Sequence, residues 1–157
     1  MLAAMTTPFI WQVRVYYEDT DAGGIVFYAN YLKFFERART EWLRSGGIDQ
    51  STLAKEHDIA FVVMRTSIDY HRPATLDNEL KLSVIVERNG QASVDFLQEA
   101  WRSECADVAP VLIATGRIKV ACVNRHNLRP QPLPAPVRQF VQATFKQSSS
   151  SGQSSLT

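Results

Sequence analysis

Cysteine is scarce in this sequence, with Cys105 and Cys122 the two among 157 residues. Two thiols cannot build a disulfide scaffold and these are not spaced as a zinc site, so both are read as free. Long apolar runs are also missing. No stretch approaches the roughly 18 residues of a membrane-spanning helix, and the opening MLAAMTTPFIW has no charged segment followed by an apolar core. No membrane span and a cytoplasmic address are therefore expected. Charge of one sign is concentrated nowhere: 17 Lys and Arg oppose 16 Asp and Glu for a net charge of +1, which argues against a nucleic-acid tract or a polybasic anchor. Familiar catalytic signatures are absent as well. The chain has no G-x-S-x-G, no H-E-x-x-H and no phosphate loop, and the Gly23-Gly24 pair opens no dinucleotide fingerprint. His57, His71 and His126 are scattered and read as loop or surface residues.

What is present suffices for one compact domain, because 157 residues at 45% apolar composition can bury one core and are too few for two ordinary ones. We place that domain at residues 1–147. The tail SSSSGQSSLT, residues 148–157, has nothing to bury and is expected to be disordered. QVRVYY alternates Val13, Val15 and Tyr17 against Gln12, Arg14 and Tyr16, the period of a half-buried strand. From Tyr31 the period changes: Tyr31, Phe34, Phe35, Ala38 and Trp42 fall on one helical face, with Asn30 as a plausible N-cap and Gly46-Gly47 as a stop. A short helix near Ser51 follows. IAFVVMRTSIDYH, ELKLSVIVER, ASVDFLQEAW and VLIATGRIKVACVN are strands by their β-branched and aromatic content. Short links without helices between them imply an antiparallel meander. PAPVRQFVQATFKQ predicts a terminal helix through Val137, Phe140, Val141 and Phe145. The fold class is α+β, with about five antiparallel strands curved around one long helix. One helix cannot cover such a sheet, so an open edge favours pairing with a second copy.

The stretch YYEDTDAGGIVFYANYLKFFERARTEWL packs two acids, a glycine pair, aromatics and the start of the long helix into one segment. Read alone, Asp19 and Asp21 are good turn formers and Gly23 and Gly24 supply positive φ. The whole stretch resembles the signature of the hotdog-fold acyl-CoA thioesterases. It is most similar to the group that includes 4-hydroxybenzoyl-CoA thioesterase and, nearer still, to the tol-pal system-associated acyl-CoA thioesterases. The similarity extends more loosely through FVVMRTSIDYHRPATLDNELKL and reaches about Val123. It implies a hotdog fold, a homo-oligomer that is a dimer or a dimer of dimers (a homotetramer), and active sites at the dimer interface. It also implies hydrolysis of acyl-CoA thioesters with neither metal nor bound cofactor.

Thioester hydrolysis needs an attacking oxygen and donors for the tetrahedral oxyanion. The resemblance gives the first role to Asp21, as general base or nucleophile, and leaves Asp19 as a structural partner of the turn. The first amides of the long helix suit the second role, since they lack internal partners and carry the positive end of the helix dipole. The resemblance also places Tyr17 with the active site and Gly24, Ile25 and Asn30 at the substrate. It assigns Phe61, Val62 and Val63 to the acyl pocket and Arg88 to the CoA phosphates. Tyr28 is kept as a catalytic candidate, its hydroxyl suited to orient water or Asp21, although it departs from the tol-pal-associated pattern, which carries His in a Y-H-A context, whereas this chain reads FYAN. Two other readings stay open: a hotdog dehydratase, and a module that binds acyl-CoA or an acyl carrier without catalysis.

Overall fold

The computed structural model describes residues 8–152. Strand β1 spans Phe9–Arg14, α1 Asn30–Ser45, α2 Gln50–His57, β2 Ile59–Tyr70, β3 Glu79–Asn89, β4 Ser93–Arg102, β5 Val111–Asn124 and α3 Ala135–Gly152. Four strands and the long helix thus fall where pattern places them. All five strands join one antiparallel sheet in the order β1-β3-β4-β5-β2. This is the hotdog arrangement, with the sheet wrapped around α1.

The apolar stripe of α1 explains that wrapping. Tyr31, Phe34, Phe35, Ala38 and Trp42 are all buried, and they meet the inward residues of the strands, Leu80, Leu82, Val84 and Val86 of β3 with Val94 and Phe96 of β4. Close approach is possible because β5 presents Gly116 beneath the helix, where a Cβ would lie 2.9 Å from the Phe35 ring. Trp42 packs edge-on to Phe96 at 5.4 Å and against Phe140 of α3 at 4.7 Å, so the terminal helix seals the far end of α1.

Four expectations are corrected. The first strand stops at Arg14 instead of running to Tyr17, and Tyr17–Asp19 form a 3-10 turn. The strands are not a simple meander: β3, β4 and β5 are, but β2 lies beyond β5 while β1 pairs with β3. The link 71–78 therefore crosses one end of the sheet. Asn30 is not the cap of α1 but its first residue, preceded by Ala29 without a side-chain cap. Near Ser51, as expected, α2 begins, its cap supplied by Asp49, which accepts from the Ser51 amide at 3.1 Å. Helix α3 continues to Gly152, into the serine run expected to be disordered from 148; residues 153–157 lie outside the described ones. No described helix is long and apolar enough to cross a membrane, and no described cluster of His, Cys, Asp or Glu could hold a metal ion.

The two free thiols differ sharply in their surroundings. Cys105 is exposed in the β4–β5 loop, whereas Cys122 is buried in β5, its thiol pushed up to about 11 by loss of solvation. A buried, protonated thiol is a poor nucleophile. We expect a chromogenic disulfide reagent at pH 8 to titrate one thiol in the native protein and two after denaturation, with the Cys105→Ser variant reading zero before denaturation.

Candidate active site

The candidate site forms where β1 ends and α1 begins. Leaving β1, the chain makes the 3-10 turn, and the Asp19 carboxylate closes it by accepting the Tyr16 amide at 2.9 Å. The Asp19 carbonyl accepts twice more, from the Phe27 amide at 2.9 Å and from the Asn30 side chain at 2.8 Å. Asp19 thus ties the turn to the first residue of α1, the structural role expected of it. Asn30 is buried, and the amide nitrogen of its side chain makes that tie.

Asp21 occupies a tight loop of its own. Its backbone N–H donates to the Ile25 carbonyl at 2.8 Å, and its carbonyl accepts from the Gly24 amide at 3.0 Å. Carboxylate oxygen Oδ1 accepts from the Gly23 amide at 2.8 Å. Oδ2 has no hydrogen-bond partner among the described residues, leaving one oxygen of a held carboxylate facing solvent. The glycines fit this geometry: Gly24 has φ +81, and a Cβ at Gly23 would crowd Oδ1 at 3.2 Å. The link 71–78 anchors the loop, since Val26 donates to the Ala74 carbonyl at 2.8 Å and Ile25 bridges to Thr75.

Beside the loop lies an open groove lined by Ile25, Tyr28, Tyr31, Tyr70, His71 and Pro73. Tyr28 is exposed and stacks at 4.8 Å on Phe27. The Tyr70 hydroxyl, at the end of β2, donates to the Tyr28 carbonyl at 2.9 Å, and its ring meets Tyr31 at 5.6 Å. Burial and the neighbouring Tyr70 push the Tyr31 phenol up to about 12. Within the first turn of α1, the amides of Asn30 and Leu32 already donate to Phe27 and Ala29. The Tyr31 amide has no acceptor among the described residues, which narrows the oxyanion donors available at this helix terminus.

Asp21, Gly24, Ile25, Tyr28 and Asn30 are thus gathered into one structure. Tyr17 shares the segment, but its side chain is 82% exposed and makes no hydrogen bond or ring contact among the described residues. Phe61 and Val63 lie elsewhere, lining a cavity of about 190 Å³ with Trp42, Phe96, Val120 and Val141; Val62 alternates to the other face. Arg88 is exposed nine residues beyond Glu79 on β3, about 30 Å along the strand, while Glu79 pairs with Arg14 near the Asp21 loop. Within one chain, Arg88 does not meet that loop. Sequence reasoning missed Tyr70, whose signal was an aromatic closing a strand, and it missed a polar pair, half-buried Arg39 and buried Gln98. Gln98 did give a signal, since it occupies an inward position between Phe96 and Ala100 where pattern demands an apolar residue.

Comparisons with known proteins agree with this fold. Residues 23–109 match the model of the Thioesterase superfamily. The acyl-CoA thioesterase YbgC of Haemophilus influenzae is 42% identical over 130 residues, 83% of this chain and 91% of that one. The chain belongs to the thioesterase superfamily. Among solved structures, this thioesterase is similar to a probable thioesterase from Bartonella henselae, 33% identical with a TM-score of 0.74, covering 82% of this chain and 100% of that one. A 1,4-dihydroxy-2-naphthoyl-CoA thioesterase from Synechocystis shares the fold, with a TM-score of 0.78 at 23% identity over 87% and 96% of the two chains.

Tyr28 stands in the groove next to Asp21, so its ring is placed to influence an incoming acyl group. Tyr28→His is expected to change the acyl preference or the pH profile of hydrolysis while leaving the far-ultraviolet circular dichroism and melting temperature close to wild type. A substrate panel and pH–rate profiles measured on both proteins check this, and identical profiles would make the position a bystander.

Proposed function

We propose that this thioesterase hydrolyses acyl-CoA to free CoA and a carboxylic acid, with Asp21 supplying the attacking oxygen directly or through water. The free Oδ2 of a carboxylate whose other oxygen is pinned by Gly23 carries this reading. Held this way, Asp21 can deprotonate a water aimed at the thioester carbonyl, or attack that carbon itself. The unpaired Tyr31 amide at the positive end of α1 suits the developing oxyanion. By the water route the tetrahedral intermediate collapses to the acid, and the proton taken by Asp21 passes to the departing CoA thiolate. By the direct route thiolate leaves an acyl–Asp21 anhydride, which a water then hydrolyses to the acid and free Asp21. Acyl-CoA as the substrate follows the relatives named acyl-CoA thioesterase. A cytoplasmic address and association with the tol-pal system are carried by the resemblance to that group alone.

The reading includes a dimer built on β2. This strand is an edge of the sheet and offers twelve residues with Val63 52% and Met64 63% exposed. An exposed apolar edge of this length is a template for pairing. Antiparallel pairing of two copies about the middle of β2 is isologous. It lays the Phe61 and Val63 end of one strand beside the Tyr70 end of the other, uniting the cavity of one copy with the Asp21 loop of its mate. That juxtaposition gives a reason why one chain keeps the acyl-pocket residues apart from the acid. The double variant Met64→Lys with Thr66→Lys sets like charges across the two-fold axis. We expect light scattering at micromolar concentration to give dimer or tetramer mass for the wild type and monomer mass for the variant, with turnover lost alongside. A monomeric and fully active wild type would refute the composite site.

The acids decide the chemistry. Asp21→Asn keeps shape and turn-forming capacity but removes the charge, and is expected to lower kcat by at least about a hundredfold at saturating acyl-CoA, with melting temperature nearly unchanged. Asp19→Asn should do the reverse, retaining most activity while losing roughly 1 to 3 kcal/mol of stability with its charged hydrogen bond to Tyr16. Wild-type turnover in Asp21→Asn would remove the carboxylate from the mechanism.

A further inference from the structure

The cavity beneath the second half of α1 is apolar on most of its wall, but it contains a cation. Arg39 and Glu36 of α1 both line it, with Thr40 beside them. Arginine on a helix that packs against a sheet would ordinarily reach for solvent. Here it turns inward, and one nitrogen donates to Gln98 Oε1 at 2.9 Å. Gln98 is wholly buried in β4, and its own amide nitrogen donates to the Phe35 carbonyl at 3.0 Å. The guanidinium is therefore oriented by a side chain that is itself fixed.

Most of Arg39's hydrogen-bonding capacity is left over. A guanidinium has five N–H donors; Arg39 uses one group of them on Gln98, and no carboxylate lies within ion-pair distance of it among the described residues. Burial pulls its pKa below the ordinary arginine value, and the charge of Glu36, one helical turn earlier, pushes the other way. Arg39 nonetheless stays charged near neutrality. A half-buried cation costs solvation, and the structure returns little of that cost through partners within the chain. Binding pockets are mostly apolar with a few placed polar groups that fix ligand orientation, and Arg39 with Glu36 fits that description.

We propose that Arg39, oriented by Gln98, selects acyl groups that carry a hydroxyl on the part of the chain remote from the thioester, with Glu36 completing the recognition. A hydroxyl accepts from the guanidinium and donates to the carboxylate, so it satisfies both groups at once. A terminal carboxylate would satisfy Arg39 but meet Glu36 as a like charge, and a methyl end would satisfy neither. The proposal rests on the acyl-CoA hydrolase reading and on this cavity receiving the acyl chain.

The test compares kcat/KM for octanoyl-CoA, ω-hydroxyoctanoyl-CoA and the ω-carboxy analogue, following CoA release with a thiol reagent. Wild type is expected to favour the hydroxylated substrate over the unsubstituted one by about tenfold or more, as in sites built to pair a substrate hydroxyl. Arg39→Met should bring that ratio near one, and Arg39→Lys should retain part of it. Glu36→Gln alters an exposed residue and keeps the fold even if Arg39→Met does not; it should lower the hydroxyl preference and raise the relative rate on the ω-carboxy substrate. Equal rates on octanoyl and ω-hydroxyoctanoyl substrates by wild type, first place for the ω-carboxy substrate, or an unchanged ratio in both Arg39→Met and Glu36→Gln would each overturn the proposal. Release of CoA from none of the three, nor from a broader acyl-CoA panel, would instead overturn the hydrolase reading on which it rests.

Discussion

The seating of Phe35 over Gly116 is the contact on which the other features depend. With no side chain at that point of β5, the helix sinks far enough for its aromatic stripe to meet both β3 and β4, and the sheet must bend to follow. A packed interior tolerates no gap of methyl size without cost, so helix depth, strand curvature and the placement of the α1 N-terminus are set together. The N-terminus matters most for chemistry. It is fixed from the other side by the Asp19 carbonyl, which accepts from both Phe27 and Asn30.

These two constraints leave a short loop between fixed points, and Asp21 sits on it. The loop is exposed, yet it is bound through backbone at Ile25, Val26 and Gly24, so the carboxylate is held by the main chain instead of by packing. An acid that must meet both water and substrate benefits from such mounting, because rigidity does not require burial. Reactive groups on loops carried by a rigid scaffold are common for this reason.

Much of this was legible in residue order, and the parts that were not have identifiable causes. The period of Tyr31, Phe34, Phe35, Ala38 and Trp42 specified α1 because one helical face is almost purely aromatic. Strands β3, β4 and β5 were legible from alternation and from short polar links. Strand order was not: the link 71–78 looks like a hairpin connection, and only the pairing of β2 with β5, while β1 takes the place beside β3, shows that it crosses the end of the sheet. Tyr17 was misplaced for a similar reason, since alternation continues past Arg14 while the backbone has already turned. The Asp21 loop was legible through its resemblance to a family, whereas the composition of D-T-D-A-G-G alone is satisfied by an ordinary turn. Arg39 escaped notice because helical periodicity sorts residues into faces and cannot say that a cation at the margin of the apolar face bends inward to a buried glutamine.

The pairing of β1 with β3 also bears on the order in which the molecule assembles. Arg14 and Glu79 are 65 positions apart in sequence, and the intervening chain contains α1, α2, β2 and the Asp21 loop. Joining them closes a long loop, whose entropy must be overcome before the contacts reward it. Strands β3, β4 and β5 have short connections and can pair early. The segment carrying the acid lies inside this long closure, so a competent site requires a longer-range pairing than the β3–β4–β5 part of the sheet does. A nascent or partly unfolded chain can thus possess most of its sheet without yet possessing chemistry.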